Sequence, residues 1–581
     1  MKYIAIKRIS ENGRTRSCCF RVPVSWSAIL LVAGVLALPS LQARAAQMPR
    51  LKKNHGAWQL MVDGKPFLMR GGEFSNNVYE APRDRSGLEA MLDAYKDYAL
   101  NTLLVPVSWR SLEPKEGTFD FQMIDTLIEQ CQKRDLRVVV LWFGAIKNGG
   151  LHYAPSWVIQ DRQRFFRATR PNGRETYAIS PFCRAAWEAD RGAFIKLMER
   201  IRQKDADQYT VIMIQPENET GCQEIDETRD HCPTADKAWD APVPDDLMKY
   251  VANHDGQLIE WLQKVWTDAG KKSSGTWPQV FGEGSDGQKI FMSYFIGRFI
   301  EQVASAGKAI HPLPMFINDW LGGLDSPGGP IGGPDFQVMD IFRVTTPSAF
   351  ACVPDIYQEN FKDWVAAFDQ KDNPILIPEA RSDARAAQQS WYTYFQHDGL
   401  LFSPYLLVPG ESDQKAVPLH LTWSNLKMSY EVIAEMEDLI LGKQGLRPRE
   451  LLCFQLDKAD KSDTTFKAEF HGYKVAAQAT RGFGKLSDGT DTQPTETPGF
   501  AVVVKMAPDD FLVIGKTMKV VFQRNNYRLK VREKGRFRDH QWVAEQPLEV
   551  LPGETETLIA LTEEPKSLDL VRIKFEKSRP E

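Results

Sequence analysis

The stretch VIMIQPENETG, Val211 to Gly221, is an apolar run that ends in a turn carrying Glu217, Asn218 and Glu219. A strand that hands an Asn-Glu pair to the loop past its end is how a (β/α)8 barrel presents reactive groups, because that fold builds its active face at the carboxyl ends of its strands. A second such run follows 160 residues after Glu219, where Asn373 and Pro374 lead into Ile375, Leu376, Ile377, Pro378 and Glu379. Two strand-end glutamates meet the need of a retaining glycosidase. One protonates the leaving oxygen and the other attacks the anomeric carbon, with the carboxyls about 5 to 5.5 Å apart.

From Phe67 to about Leu441 short apolar runs alternate with amphipathic stretches, the mark of βα units around a parallel sheet. Strands are expected at Phe67 to Gly72, Leu103 to Val107, Val138 to Trp142, Val211 to Gln215, Met315 to Ile317, Phe350 to Val353, Ile375 to Ile377 and Leu400 to Phe402. Eight is the number that closes a TIM barrel. Helices are expected at Gly87 to Leu100, Asp120 to Arg134, Ala185 to Gln203, Pro244 to Thr267 with Gln288 to Ala306, Phe336 to Phe342, Asn360 to Gln370, Asp383 to Phe395 and Ser424 to Leu441. The fourth unit is oversized, and its extra helix and polar loop are expected over the active face. Gly322 to Pro334 is too rich in Gly and Pro for helix or strand.

After Gly442 the pattern changes to short alternating runs, Phe500 to Lys505, Phe511 to Ile514, Lys519 to Gln523 and Tyr527 to Val531, which read as a smaller all-β, sandwich-like domain. The 581 residues thus divide into a leader over 1–45, a catalytic barrel over 46–442 and a β-domain over 443–581. Whether the β-domain binds glycan or only packs stays open.

Lys2, Lys7, Arg8, Arg14, Arg16 and Arg21 precede an apolar run from Trp26 to Leu38, then Pro39 and the small-residue site Ala43-Arg44-Ala45, the layout of an export signal cut near Ala45 or Ala46. An uncleaved anchor would need about 20 apolar residues, more than this run supplies. Its removal takes the formal charge from −4 to −10. An acidic exported chain is a poor partner for nucleic acid or, once the leader is cut, for an anionic membrane, and a periplasmic or extracellular site is expected.

Cys18 and Cys19 leave with the leader, and Cys131, Cys183, Cys222, Cys232, Cys352 and Cys453 remain. The absence of CxxC, HExxH and HxH spacings argues against zinc, and no metal or cofactor is expected. Cys222 and Cys232 bracket the polar loop CQEIDETRDHC and are a disulfide candidate in an oxidising compartment, with two free thiols as the alternative. GEGSDG, Gly282 to Gly287, matches GxGxxG but opens no βαβ unit, so it is set aside as a dinucleotide site.

Glu219 is taken as acid/base rather than Glu217, because the carboxylate after Asn218 lies further toward the barrel mouth; Glu217 is left as an ion-pair partner. Glu379 is the nucleophile. Tyr357, in PDIY at the end of the sixth strand, is placed to hydrogen-bond and orient Glu379, and Asn218 to donate to the sugar 2-hydroxyl.

PENETG, Pro216 to Gly221, resembles the ENEYG-type acid/base motif of glycoside hydrolase family 35, the β-galactosidases of the clan A barrels. NTLLVPVSWRSLEPKEGTFD (Asn101 to Asp120) and YAPSWV (Tyr153 to Val158) resemble further segments of that family. LPMFINDW, PDIY and FSPY (Phe402 to Tyr405) resemble a bacterial branch with a C-terminal β-domain of unassigned function. The resemblance covers most of residues 55 to 575 and implies acid/base Glu219 with neighbour Asn218, and nucleophile Glu379. It departs at WFGAIKNGG, with Trp142, Lys147 and Asn148 in the loop after the third strand, and at Pro106, where many members place Tyr. Candidates for holding the sugar are Glu73, Asn76, Trp109, Lys147, Asn148, Trp320 and Tyr405, since sugar faces stack on aromatic rings and hydroxyls take hydrogen bonds from charged or amide groups.

The resulting expectation is an exported, metal-independent retaining exo-β-galactosidase acting on a galactosylated oligosaccharide or polysaccharide. Xyloglucan is suggested by the branch resemblance alone. Other clan A specificities (β-glucosidase, β-mannosidase, endo-glucanase) and a non-catalytic glycan-binding barrel stay open, and oligomeric state is not legible.

Overall fold

Eight apolar runs form parallel strands, each followed by a helix. The strands are β1 (Met69–Glu73), β2 (Thr102–Ser108), β3 (Arg137–Phe143), β4 (Val211–Pro216), β5 (Ile317–Trp320), β6 (Cys352–Asp355), β7 (Leu376–Ile377) and β8 (Leu401–Phe402). The helices are α1 (Arg85–Asp97), α2 (Gln122–Lys133), α3 (Arg184–Asp205), α4 (Ser285–Ile310), α5 (Met339–Thr345), α6 (Phe361–Phe368), α7 (Arg385–Gln396) and α8 (Leu419–Glu435). This is a computed structural model, and it describes residues 46–74, 85–223, 229–321, 330–405, 419–446, 450–456, 465–480, 498–551, 556–564 and 567–578, without the side chains of 85–87 and 419–424. The leader, Asn76 and residues 322–329 of the Gly/Pro-rich stretch lie outside that set. Among the described residues no helix is long and apolar enough to cross a membrane.

Six strands pair in the order β7-β8-β1-β2-β3-β4, and β5 pairs with β6. Single parallel bridges, Ile214 with Met315 and Ile356 with Ala380, join the two groups and close the ring. Strand side chains alternate between two cores, as a barrel clad in helices requires. Leu104, Val139, Leu141 and Phe143 point to the inner cluster, whereas Leu103, Val105, Val138, Val140 and Trp142 point to the helices. Leu60 and Val62, from an antiparallel strand Ala57–Val62 that precedes β1, join the inner cluster.

Two expected elements shift. The fifth and sixth strands lie further along the chain than expected, so Asn318, Asp319 and Trp320 end β5 and Asp355 ends β6. Pro244 to Thr267 is not one helix: it breaks between Asp245–Asn253 and Glu260–Asp268, at a turn where Gly256 has φ 75°. Such a φ costs glycine little and interrupts the helical hydrogen-bond ladder.

Beyond residue 450 two antiparallel sheets, one six-stranded and one four-stranded, pack over Phe454, Tyr473, Phe511, Phe522 and Phe575. The six-stranded sheet includes β9 (Leu451–Gln455) and β10 (Phe500–Ala507). This domain seats on α7: Trp391 stacks on Phe395 at 5.1 Å and on Phe500 at 6.0 Å, and its Nε1 donates to Ser429 Oγ at 3.1 Å. Gln388 donates to the Leu456 carbonyl at 3.2 Å.

Deleting a buried aromatic side chain typically costs about 3–5 kcal/mol. Trp391→Ala is therefore expected to lower the guanidinium unfolding midpoint clearly, and a midpoint equal to that of the unmodified chain would show that this contact does not hold the β-domain to the barrel.

Candidate active site

The strand ends place chemistry on one rim. β1 ends at Glu73, β4 is followed by Glu217, Asn218 and Glu219, and β5 ends in Asn318, Asp319 and Trp320. β6 ends at Asp355 with Tyr357 just beyond, and Glu379 follows β7. The turn after β4 decides what each carboxyl faces. Glu217 (φ 63°) and Glu219 (φ 44°) are both left-handed, a conformation that costs a non-glycine residue about 1–3 kcal/mol and needs surrounding contacts to persist.

Those contacts send the two glutamates opposite ways. Glu217 turns toward the loop after β3, where its carboxyl accepts the backbone N–H groups of Ala145 (3.3 Å) and Ile146 (3.2 Å) and meets buried Asp190 of α3. Asp190 accepts Trp142 Nε1 (2.8 Å) and Ala145 N–H (2.7 Å). Burial raises both acids, Glu217 well above its ordinary value, and the charge of Asp190 adds to the rise at Glu217. A Cβ at Gly144 would lie 2.2 Å from Glu217 Oε1 and 2.5 Å from Asp190 Oδ2, so glycine is required there.

Glu219 turns into the site, where its backbone N–H donates to Asn318 Oδ1 at 3.0 Å. Glu379 faces it: Tyr357 OH donates to Glu379 Oε2 at 2.6 Å and Asn218 Nδ2 to Oε1 at 3.4 Å. Carboxylate oxygens of Glu219, Glu379 and Asp355 all lie within 4.8 Å of one another. The three could each offer one oxygen to a cation, but Lys147 already supplies a positive charge, its Nζ 3.5 Å from Glu219 Oε2.

Burial, then the negative charge of Glu379, lifts Glu219 to about 7, against the opposing pull of Lys147. Burial likewise holds Asp355 and Glu73 well above the carboxylate range, with Glu379 again raising both. Tyr357 is pushed up by burial and Glu379, so its hydroxyl stays a donor. Asn318 Nδ2 donates to Asp355 Oδ2 at 2.5 Å.

The expected sugar contacts divide. Glu73, Asn218 and Lys147 are buried beside the two glutamates, and neither Glu73 oxygen has a hydrogen-bond partner. Asn148 is held by the bond from its N–H to the Asn218 carbonyl (3.0 Å), and its Oδ1 is buried without a partner. Trp320 is 36% exposed at the end of β5, and Tyr405 meets Tyr357 edge-on at 6.3 Å. Asn76 is outside the described residues. Trp109 is corrected: it is fully buried in the core, its indole N–H donating to Glu113 Oε2 at 2.8 Å and its ring set against Trp157. The disulfide is also corrected. Cys222 and Cys232 are free and buried, Cys222 near the Ile179 carbonyl (3.8 Å) and Cys232 near Ser180 Oγ (3.5 Å).

Sequence reasoning did not single out Asp355, Asn318 or Asp319. All three lie inside the motifs PDIY and LPMFINDW, but the strands expected from the apolar pattern end before reaching them. Asp319 is buried and held well above its ordinary value by burial, with Asp335 and Glu219 adding to the rise and Lys289 opposing it.

Residues 84–279 match the glycoside hydrolase family 42 profile, described as β-galactosidase, and residues 426–549 match a domain of unknown function, DUF5597. β-Galactosidase Bga of Halorubrum lacusprofundi is 30% identical over 196 residues, 33% of this chain and 24% of that protein, so the match spans about a quarter of the relative. The structure of a β-galactosidase from Bacillus circulans sp. alkalophilus has TM-score 0.44 and 14% identity, covering 64% of this chain and 57% of that one. That of a catalytic mutant of Gan42B, a family 42 β-galactosidase from G. stearothermophilus, has TM-score 0.46 and 12% identity, covering 88% and 98%. The likeness to clan A β-galactosidases stands, but the profile matched is that of family 42, which corrects the resemblance to family 35.

Glu217 sits above its unfolded value of 4.5 when folded. Folding therefore takes up a proton between those two values, and the associated stability, full below pH 4.5, is lost as the pH rises. Glu217→Gln removes that slope. Its unfolding free energy should gain on that of the unmodified chain by up to about 1.4 kcal/mol per pH unit in urea titrations from pH 5 upward. A pH-independent difference would mean that Glu217 is ionised in the fold.

Proposed function

We propose that the chain is a glycoside hydrolase, a retaining exo-β-galactosidase that removes terminal β-galactosyl residues from oligosaccharides or polysaccharide side chains, xyloglucan among them, after export. The observation that carries the reading is the pair Glu219 and Glu379, with carboxylate oxygens within 4.8 Å of each other and unlike partners. That closeness favours the narrower spacing of a retaining pair, about 5–5.5 Å, over the roughly 6.5–9.5 Å of an inverting one. The profile match over residues 84–279 supports the galactoside specificity.

Glu379, its two oxygens fixed by Tyr357 and Asn218, attacks the anomeric carbon as the glycosidic C–O bond breaks, and Glu219 gives its proton to the departing oxygen. Glu379 becomes a neutral ester and Glu219 a carboxylate. Water then attacks the anomeric carbon, its proton passes to Glu219, and the bond from that carbon to Glu379 breaks so that Glu379 leaves as carboxylate. The site keeps one negative charge throughout. It moves from Glu379 to Glu219 and back, with Lys147 beside it.

A panel of nitrophenyl glycosides should give strong turnover only with the β-galactoside, and proton NMR of the reaction should show β-galactose released first. First release of the α anomer would rule out retention, preference for a glucoside or mannoside would reassign the specificity, and sugar binding without turnover would favour a glycan-binding barrel. With Glu219 at about 7 as the acid, kcat/KM should fall as pH rises through that value. Glu219→Ala should lose about 10²–10⁴-fold on substrates with poor leaving groups and much less on a dinitrophenyl galactoside, while Glu379→Gln should be inactive on both.

A further inference from the structure

Asn318 is the only side chain that ties the turn after β4 to the end of β6 through both ends of its amide, among the bonds described for these two elements. Its Oδ1 accepts the Glu219 N–H, which fixes the amide's orientation, so Nδ2 must be the group that donates to Asp355 Oδ2. Asp355 Oδ2 is thereby an acceptor. The other oxygen, Oδ1, is buried and receives no donor, yet Asp355 lies within 4.8 Å of both Glu219 and Glu379. A third bare carboxylate in that cluster would add only repulsion, whereas a proton on the unpartnered Oδ1 supplies a donor that can turn toward a neighbouring carboxylate.

We propose that Asp355 is a neutral carboxyl whose Oδ1 proton directs its hydrogen bond to whichever of Glu379 and Glu219 carries the negative charge. The inference rests on the galactosidase reading above. Asp355 donates toward Glu379 in the resting site and toward Glu219 once the glycosyl ester has formed. No bond to Asp355 is made or broken and its proton stays with it, so it is a positioning residue. The groups facing it are Glu73 from β1, Glu219 from the β4 turn, Glu379 after β7 and Tyr357 beyond its own strand. Lys147 faces Glu73 and Glu219 from the loop after β3. One cation among four carboxyls leaves room for few ionised acids at a time, and a buried charge without a partner is strongly disfavoured.

The test compares Asp355→Asn with Asp355→Ala. Asparagine keeps an acceptor for Asn318 and puts an N–H donor where the Oδ1 proton stood, without adding charge; alanine removes both. On 2,4-dinitrophenyl β-galactoside, where breakdown of the ester limits the rate, Asp355→Ala is expected to slow that step about 10²-fold, the usual cost of removing one aligned donor. Asp355→Asn should recover most of this loss while remaining slower than the unmodified enzyme. The alkaline limb of kcat/KM in Asp355→Asn should stay where the unmodified enzyme has it. If Asp355 were ionised, removing its charge would lower that limb by about 1–3 units, and this shift overturns the inference. So does an asparagine variant no faster than alanine, or an alanine variant that breaks the ester at the normal rate. Circular dichroism checks folding, and if the alanine variant does not fold, the limb of Asp355→Asn decides alone. An unmodified chain that hydrolyses no β-glycoside would sink the functional reading itself, whereas normal turnover with a shifted Asp355→Asn limb sinks only the role given to Asp355.

Discussion

One ammonium group, that of Lys147, faces Glu73 and Glu219, and Glu379 adds its charge to the same surroundings. Coulomb attraction at short range in a poorly solvated site favours one compensated anion and penalises a second. Burial and the neighbouring charges hold Glu73 and Asp355 well above their ordinary values, so the acids differ by place rather than by residue type. Glu379 is gripped by the Tyr357 hydroxyl and the Asn218 amide, and Glu219 lies beside the lysine and is lifted by burial; in the proposed reaction Glu219 gives up a proton and takes it back. The lysine itself depends on the loop after β3, which is held by the buried pair of Asp190 and Glu217. The two glutamates of the β4 turn, on either side of Asn218, therefore face opposite ways.

The barrel was legible because most strands are apolar runs bounded by turn residues, and near-continuous runs such as LLVPV and RVVVLWF are what strands buried on both faces look like. Glu219 and Glu379 could be picked out for the same reason: each follows a run whose end is unmistakable. Asp355 and Asn318 could not. β5 and β6 are short, they join the ring through single bridges at Ile214 and Ile356, and their carboxyl ends contain Asn, Asp and Pro, which read as loop. Where pairing partners rather than side-chain pattern decide where a strand stops, residues at its rim stay hidden from a single sequence.

Trp109 and the disulfide candidate were misplaced by local geometry. Trp109 follows β2 and sits where a rim residue would be expected, but the chain turns at once into a short helix, Trp109–Leu112, that carries the indole inward onto Glu113. Cys222 and Cys232 are close in the chain, yet each thiol is buried against a different neighbour, Ile179 and Ser180, and proximity along the backbone does not bring the sulfurs into bonding geometry.

The seat of the β-domain on α7 has a consequence for biosynthesis. Trp391 leaves the ribosome 109 residues before Phe500, the ring that covers it. At translation speeds of about 5–20 residues per second, Phe500 is made on the order of 5–20 s after Trp391. Until those residues are made, the α7 face that Trp391 shares with Phe500 has no β-domain to cover it.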